Sequence, residues 1–297
     1  MEGVDVTTGG HGPTTNRRRL RLVLRQLRLE RGLSLEDVRQ EMDWSLSKVT
    51  RIENGSVSIS VNDLRALLDF YQVHDTSQAR DLLGLARLAR KRHWAAEYRE
   101  FVSPSYMDFL GYEDDSWRIS QYHPFLIPGL LQTEQYAQLV VAIGPQIRGD
   151  QAAAQARVQL RLARQARVFG QPHREVRIVL DERALKFVEN TQLMLEQVEH
   201  ILFRLPEHLH PVVLKRDTAA NSALVGPFSL HEFEWDVDPD VVYLDNLPDD
   251  VALVEDETAV AGYKASFEDL YRQAAKGDDA RRLLEGIRDA LREQAPA

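Results

Sequence analysis

The sequence contains no cysteine among its 297 residues. Disulfide bonds and thiolate metal sites are therefore excluded, which fits a reducing compartment, and we expect a cytoplasmic protein. No apolar run approaches the roughly 20 residues of a membrane-spanning helix, so no membrane partner is expected. Patterns for phosphate-binding loops, GxSxG nucleophile elbows and Rossmann sites are also missing. We therefore expect no cofactor and no enzymatic activity.

Charge is unevenly distributed along the chain. The net charge is −9. Residues 1–92, however, carry 16 Lys and Arg against 12 Asp and Glu, whereas the remainder carries 21 against 34. A basic N-terminal part on an acidic body leaves a local site for DNA and suppresses non-specific binding.

Residues 34–55, SLEDVRQEMDWSLSKVTRIENG, predict two short helices joined by a tight turn. Ser34 and Asp37 have the spacing of a capping box, which begins the first helix. Asp43 tolerates the left-handed conformation that a tight turn needs, and Ser45 can cap the second helix. This pattern is typical of a helix-turn-helix, whose second helix enters the major groove of DNA.

The second of these helices separates apolar from polar positions. Leu46, Val49 and Ile52 have the spacing of an inward face. The outward positions carry hydroxyls and cations, which bind base edges and phosphates. Three arginines at the start of the N-terminal domain, ahead of its first helix and of the helix-turn-helix, could reach phosphates or the minor groove. The alternative is a solvated, disordered arm. The predicted DNA-binding residues are Ser45, Ser47, Lys48, Thr50 and Arg51, together with Arg17, Arg18 and Arg19.

The chain is long enough for two domains. We expect residues 1–16 to form a flexible tail without the apolar core of a signal peptide. Residues 17–94 are expected to form an all-α domain of five helices. Residues 103–297 combine helical and strand patterns irregularly, which predicts an α+β domain with a small, mostly antiparallel sheet. The predicted strands are 176–180, 211–215, 228–234 and 241–244.

The most distinctive motif of the C-terminal part is IPGLLQT at residues 127–133. Its Pro-Gly pair predicts a sharp turn, and its Gln-Thr pair begins a helix, so a structural elbow is favoured. The alternative is that the motif lines a ligand pocket or a groove for a partner. The residues of that alternative are Pro128, Gly129, Gln132 and Tyr136.

Other candidate sites lack the spacing that chemistry requires. Asp181-Glu182 favours a helix cap over a catalytic carboxylate pair, because no base or nucleophile accompanies it. Histidines 200, 208, 210 and 231 have no metal-ligand spacing, so no metal site is expected. Residues 232–257 hold eleven acidic residues and no Lys or Arg. A solvated sheet edge and loops are favoured there over a docking face for a basic partner or a calcium site.

Several motifs resemble those of a known family. The run WSLSKVTRIENG, residues 44–55, is similar to the recognition helix of Xre-type, lambda-repressor-like domains. IPGLLQTEQYA at 127–137, VLDERAL at 179–185, GPFSLHEF at 226–233 and VVYLD at 241–245 resemble, in that order, actinomycete Xre-type regulators with an uncharacterised C-terminal domain. The resemblance implies an antitoxin-like or developmental regulator of transcription, commonly encoded beside a small partner protein.

Three positions depart from that family pattern. Arg39 stands where the family usually has a small Ala, and it would either reach a phosphate or loosen the helix pair. Asp43 replaces a turn Gly at some conformational cost. Leu35 replaces a Gln that often contacts bases in the family. Base reading is therefore expected to depend more heavily on the second helix of the motif.

The sequence thus predicts a sequence-specific regulator that binds a roughly palindromic, double-stranded operator as a homodimer. The C-terminal domain would sense a small partner protein encoded nearby or a small-molecule effector. The alternative is an antitoxin-like interaction protein that sequesters a small partner and autoregulates its own operon.

Overall fold

The computed structural model describes residues 12–143, 150–171, 173–186, 188–215, 226–234, 238–246 and 250–294. The chain divides into two compact units. The first contains the described residues of Met1–Ala96 and of Trp235–Asp238, and the second contains those of Glu97–Glu234 and Pro239–Ala297.

The first unit is built from helices that share one apolar core. Leu24 of the first helix, Leu64 of the fourth and Leu82 of the fifth are fully buried in it. The first helix includes residues 13–16, which were predicted as tail, because a proline suits the first turn of a helix. The helices are α1 (Pro13–Glu30), α2 (Leu35–Glu41), α3 (Leu46–Glu53), α4 (Val61–Phe70) and α5 (Thr76–Leu88).

The second unit contains both helices and strands. Its first helix was not predicted, although Ser103 caps it by accepting a hydrogen bond from the amide of Tyr106 and Pro104 occupies its first turn. The elements are α6 (Pro104–Asp115), β1 (Arg118–His123), α7 (Glu134–Ala142), α8 (Gln151–Phe169), β2 (Glu175–Asp181), α9 (Thr191–Phe203), β3 (Val212–Leu214), β4 (Phe228–Glu232), β5 (Val241–Asn246), β6 (Asp250–Val254), α10 (Glu257–Gln273) and α11 (Gly277–Gln294).

The strands form one mixed sheet with the order β3-β2-β1-β4-β5-β6. β1, β2 and β3 are parallel to one another, whereas β4 pairs antiparallel with β1, β5 with β4 and β6 with β5. The predicted α+β domain is confirmed, but its six-stranded sheet is mixed, so the finer prediction of a small, mostly antiparallel sheet is not. Helical crossovers through α7 and α8, and then through α9, return the chain to the same end of the sheet, which makes the first three strands parallel.

The sheet is covered on both faces, so the second unit has three layers. One face carries Ile119, Ile178 and Leu180, which pack with residues of α9 and α11. The other face carries Tyr122 and Val179, which pack with residues of α10. Across the residues that the structure describes, no helix combines the length and the apolar composition needed to cross a membrane.

Candidate nucleic-acid interface

The helix-turn-helix is formed by α2, a tight turn and α3. The predicted capping box is confirmed: the amide of Asp37 donates to Ser34 Oγ at 3.1 Å, and the Ser34 amide donates to the Asp37 carboxylate at 2.7 Å. The hydrogen bonds from Ser34 lower the pKa of Asp37. Asp43 has φ = 51°, so it adopts the predicted left-handed conformation in the turn.

α3 is defined at both ends by specific residues. Ser45 caps its N-terminus, because its hydroxyl accepts a hydrogen bond from the Lys48 amide at 3.2 Å. The chain leaves α3 through Gly55, whose φ is +79°. A Cβ at Gly55 would lie 2.8 Å from Cδ of Arg21. The positive φ therefore favours glycine at this position, whereas the contact from α1 is made by the flexible side chain of Arg21, which can move.

The two faces of α3 differ in chemistry. Val49 and Ile52 are buried in the core of the first unit, whereas Ser47, Thr50 and Arg51 are exposed. Thr50 Oγ1 donates to the Leu46 carbonyl at 3.0 Å, and Arg51 Nε donates to the Ser47 carbonyl at 3.3 Å. The structure thus brings three of the predicted DNA-binding side chains to one solvent-facing surface of one helix.

Lys48 has intramolecular partners. Its Nζ lies 3.1 Å from Asp63 Oδ2 and 3.8 Å from the centre of the Trp44 ring. The Lys48 and Asp63 side chains are each about one-third exposed. A DNA phosphate or base would therefore have to compete with a carboxylate and an aromatic ring for this ammonium group.

We expect Lys48→Ala to weaken DNA binding less than Arg51→Ala does, because Lys48 gives up internal contacts when it binds DNA. Asp63→Asn should tighten binding, since it removes the competing negative charge. Dissociation constants measured for all three variants on the same duplex at one salt concentration test this order. A loss for Lys48→Ala as large as that for Arg51→Ala would show that the internal contacts do not compete.

Arg17, Arg18 and Arg19 lie within α1 rather than ahead of the first helix. The side chains of Arg18 and Arg19 are buried. Arg19 forms a salt bridge with Asp238, in which Nε lies 3.1 Å from Oδ1. The predicted basic arm is therefore replaced by helix, and we do not retain Arg18 and Arg19 as phosphate ligands. Arg17 is partly exposed.

Arg39 pairs within α2 and does not loosen the packing of that helix. Arg39 Nε lies 2.9 Å from each carboxylate oxygen of Glu36, one turn earlier on α2. The hydrogen bond to Glu36 raises the pKa of Arg39. The preceding residue, Val38, stays buried in the core. Arg39 thus lies on the solvent side of α2, and the packing of α2 does not depend on a small residue there.

An ion pair that sequence reasoning missed fixes the end of α3 to α1. Arg28 Nε lies 2.6 Å from Glu53 Oε1, and Arg28 Nη2 lies 2.9 Å from Oε2. Arg28 Nη1 also donates to the Leu33 carbonyl at 2.7 Å. The hydrogen bond to Glu53 raises the pKa of Arg28. The available signal was position: Arg28 follows Leu24 at helical spacing, on the apolar stripe of α1.

The IPGLLQT motif is an internally hydrogen-bonded elbow. Gln132 is buried, and its Nε2 donates to the Ile127 carbonyl at 2.7 Å while its Oε1 accepts from Arg161 at 2.8 Å. The Tyr136 hydroxyl accepts from the Ile127 amide at 3.2 Å, and burial raises the pKa of Tyr136. Pro128 is buried and Gly129 is partly exposed. These contacts support a structural role for the motif.

Four acidic side chains of the stretch 232–257 have partners inside the protein. Glu232 and Asp240 both pair with Lys264. Asp256 caps α10 by accepting from the Ala259 amide at 2.9 Å. Asp236 and Asp249 lie outside the described residues. Asp238 pairs with Arg19, whereas Glu234 and Glu257 are exposed.

Of the remaining candidates in the second unit, Asp181 and His231 are buried, whereas His208 and His210 are exposed. Asp181 is the last residue of β2 and is fully buried, where it accepts from the Tyr122 hydroxyl at 3.0 Å and from the Arg183 amide at 2.9 Å. His231 is fully buried, and desolvation lowers its pKa to about 3. Within the described ranges, no group of three or more histidine and carboxylate side chains is placed to hold a metal ion.

Comparison with known families gives two matches. The model of a helix-turn-helix domain matches residues 19–82, which include α2 and α3. The model of a domain of unknown function, DUF5753, matches residues 106–286 of the second unit. No curated protein matches the chain, and no solved structure does. The helix-turn-helix match supports DNA binding and transcription regulation. Because the other match spans more than half of the chain, this protein belongs to the DUF5753 family and carries a helix-turn-helix domain ahead of that domain.

Proposed function

We propose that this protein is a sequence-specific regulator of transcription that reads a double-stranded operator with α3. The observation that supports this function is the exposed surface of Ser47, Thr50 and Arg51 on a capped helix whose opposite face is buried. The helix-turn-helix match over residues 19–82 supports the same interpretation.

The chemistry of this surface suits the major groove. Arg51 presents a guanidinium whose paired donors fit O6 and N7 of guanine. The hydroxyls of Ser47 and Thr50 can donate to or accept from base edges, so they add contacts without fixing one base. To contact bases, Arg51 and Thr50 would give up only their hydrogen bonds to carbonyls of their own helix. We propose Arg51 as the principal base-reading residue.

Arg51→Ala should weaken operator binding by about 1–3 kcal/mol and relax the base preference at one position of each half-site. The operator is first selected from a randomised duplex pool with the full-length protein. Dissociation constants of the wild type and of Arg51→Ala are then measured by fluorescence anisotropy on the selected duplex and on its single-base variants.

The matched control is Arg80→Ala, which removes the same charge from an exposed position of α5 outside the helix-turn-helix. We expect this variant to keep the base preference of the wild type. Unchanged affinity and preference in Arg51→Ala would place the reading surface elsewhere.

The proposed regulator acts as a homodimer on a roughly palindromic operator, since one helix-turn-helix contacts too few bases for useful specificity. Two copies of α3 would then enter half-sites about 34 Å apart on one face of the duplex. Sedimentation of the protein with the selected operator tests this stoichiometry: two chains per duplex are expected, and one chain per duplex contradicts the dimer.

The second unit is proposed to sense an effector, either a small partner protein or a small molecule. Either signal must bind the DNA-competent and DNA-incompetent states with different affinity. The internal pairing of Glu232 and Asp240 gives no support to an acidic face that sequesters a basic partner. Operator affinity measured with and without the product of the adjacent gene distinguishes a protein signal from a small-molecule signal.

A further inference from the structure

Leu46 is the exception to the two-faced pattern of α3. Its spacing with Val49 and Ile52 predicts an inward position, yet Leu46 is 47% exposed while both of the others are buried. It does not belong to the described hydrophobic core of the first unit. An aliphatic side chain therefore lies in solvent at the first position of the helix that carries the proposed reading surface.

The surroundings of Leu46 are the proposed base-reading residues. Ser45, the cap, precedes it and the exposed Ser47 follows it, while Thr50 one turn later donates its hydroxyl to the Leu46 carbonyl. The N-terminal residues of a recognition helix contact base edges. Leu46 would consequently meet the floor of the major groove if α3 binds as proposed.

The major groove offers one apolar group, the C5-methyl of thymine. Contact between that methyl and a leucine removes apolar surface of both from water, which a polar neighbour such as Ser47 cannot do. We propose that Leu46 is a specificity-determining residue that selects thymine through its C5-methyl. This inference rests on the proposed function, because it requires α3 to lie in the major groove.

Uracil isolates this contact, because it differs from thymine only by the missing methyl and keeps every hydrogen-bonding group. Each thymine of the selected operator is replaced in turn by uracil, and binding is measured with wild type and with Leu46→Ala. For wild type we expect about three- to tenfold weaker binding at one position of each half-site. For Leu46→Ala we expect the same affinity for thymine and uracil at that position.

The matched control is Leu29→Ala, which removes the same atoms from an exposed leucine on α1. It should retain the wild-type preference for thymine. The inference is overturned if uracil is neutral at every position for wild type, or if Leu46→Ala still prefers thymine. If selection recovers no preferred sequence at all, the proposed function fails as well, so the two failures are distinguishable.

Discussion

Replacing Glu113 with alanine should lower the free energy of unfolding of the second unit by about 3–5 kcal/mol. Arg164 of α8 donates to both carboxylate oxygens of Glu113 on α6, each at 2.6 Å. The Arg164 and Glu113 side chains are only 7% and 2% exposed. The guanidinium also lies over the Phe109 ring, 4.8 Å from its centre. Removing the carboxylate would leave a buried positive charge without its counter-ion.

A neighbouring pair provides the matched control. Arg167 and Asp114 join the same two helices one turn away, but Arg167 is 43% exposed. Asp114→Ala should therefore cost less than about 1 kcal/mol, because the guanidinium that it leaves behind is already partly in solvent. Urea unfolding of the full-length variants gives the two stability losses, and hydrogen exchange of the α6 and α8 amides shows whether each loss arises where these helices meet. Equal losses in the two variants would show that burial of the Glu113 pair carries no special weight.

Glu53→Ala should cost about 3 kcal/mol of stability in the first unit, because it leaves Arg28 without its carboxylate partner. The two side chains are 9% and 12% exposed. Since the pair joins the last turn of α3 to α1, the loss should also raise hydrogen exchange throughout α3. Operator binding should weaken with it, although neither side chain belongs to the proposed reading surface.

The control for this prediction is Glu36→Ala, which breaks an ion pair with Arg39. The Arg39 side chain is 38% exposed and the Glu36 side chain is 51% exposed. We expect its effect on stability to stay below about 1 kcal/mol. A double variant that lacks both Arg28 and Glu53 should lose less than the sum of the single losses. Full additivity of the single variants would contradict a direct interaction between the two charges.

The local features of the helix-turn-helix could be predicted from sequence because short-range chemistry determines them. The Ser34 cap, the left-handed Asp43 and the Ser45 cap depend on residues within one turn, and the structure has all three. The buried Val49 and Ile52 likewise follow from helical spacing. Base reading itself stays a prediction, since it depends on a partner outside the chain.

The missed features depend on partners that are far apart in sequence. Arg28, Arg164 and Arg19 look like ordinary surface cations, but each meets a carboxylate contributed by a different part of the chain. The mixed sheet was missed for a related reason. The strand patterns were recognisable, but whether two strands run parallel depends on the helical connections between them. Leu46 is a different case: its helical spacing predicts a buried side chain, but the structure leaves that side chain exposed.

The measurement that tests the central claim most directly is the ratio of wild-type affinities for the selected operator and for a scrambled duplex of the same composition. Both are measured at physiological salt, because phosphate contacts alone depend strongly on ionic strength. A sequence-specific regulator predicts binding to the operator at least about 1,000-fold tighter than to the scrambled duplex. Equal affinities would contradict the claim that α3 reads a base sequence.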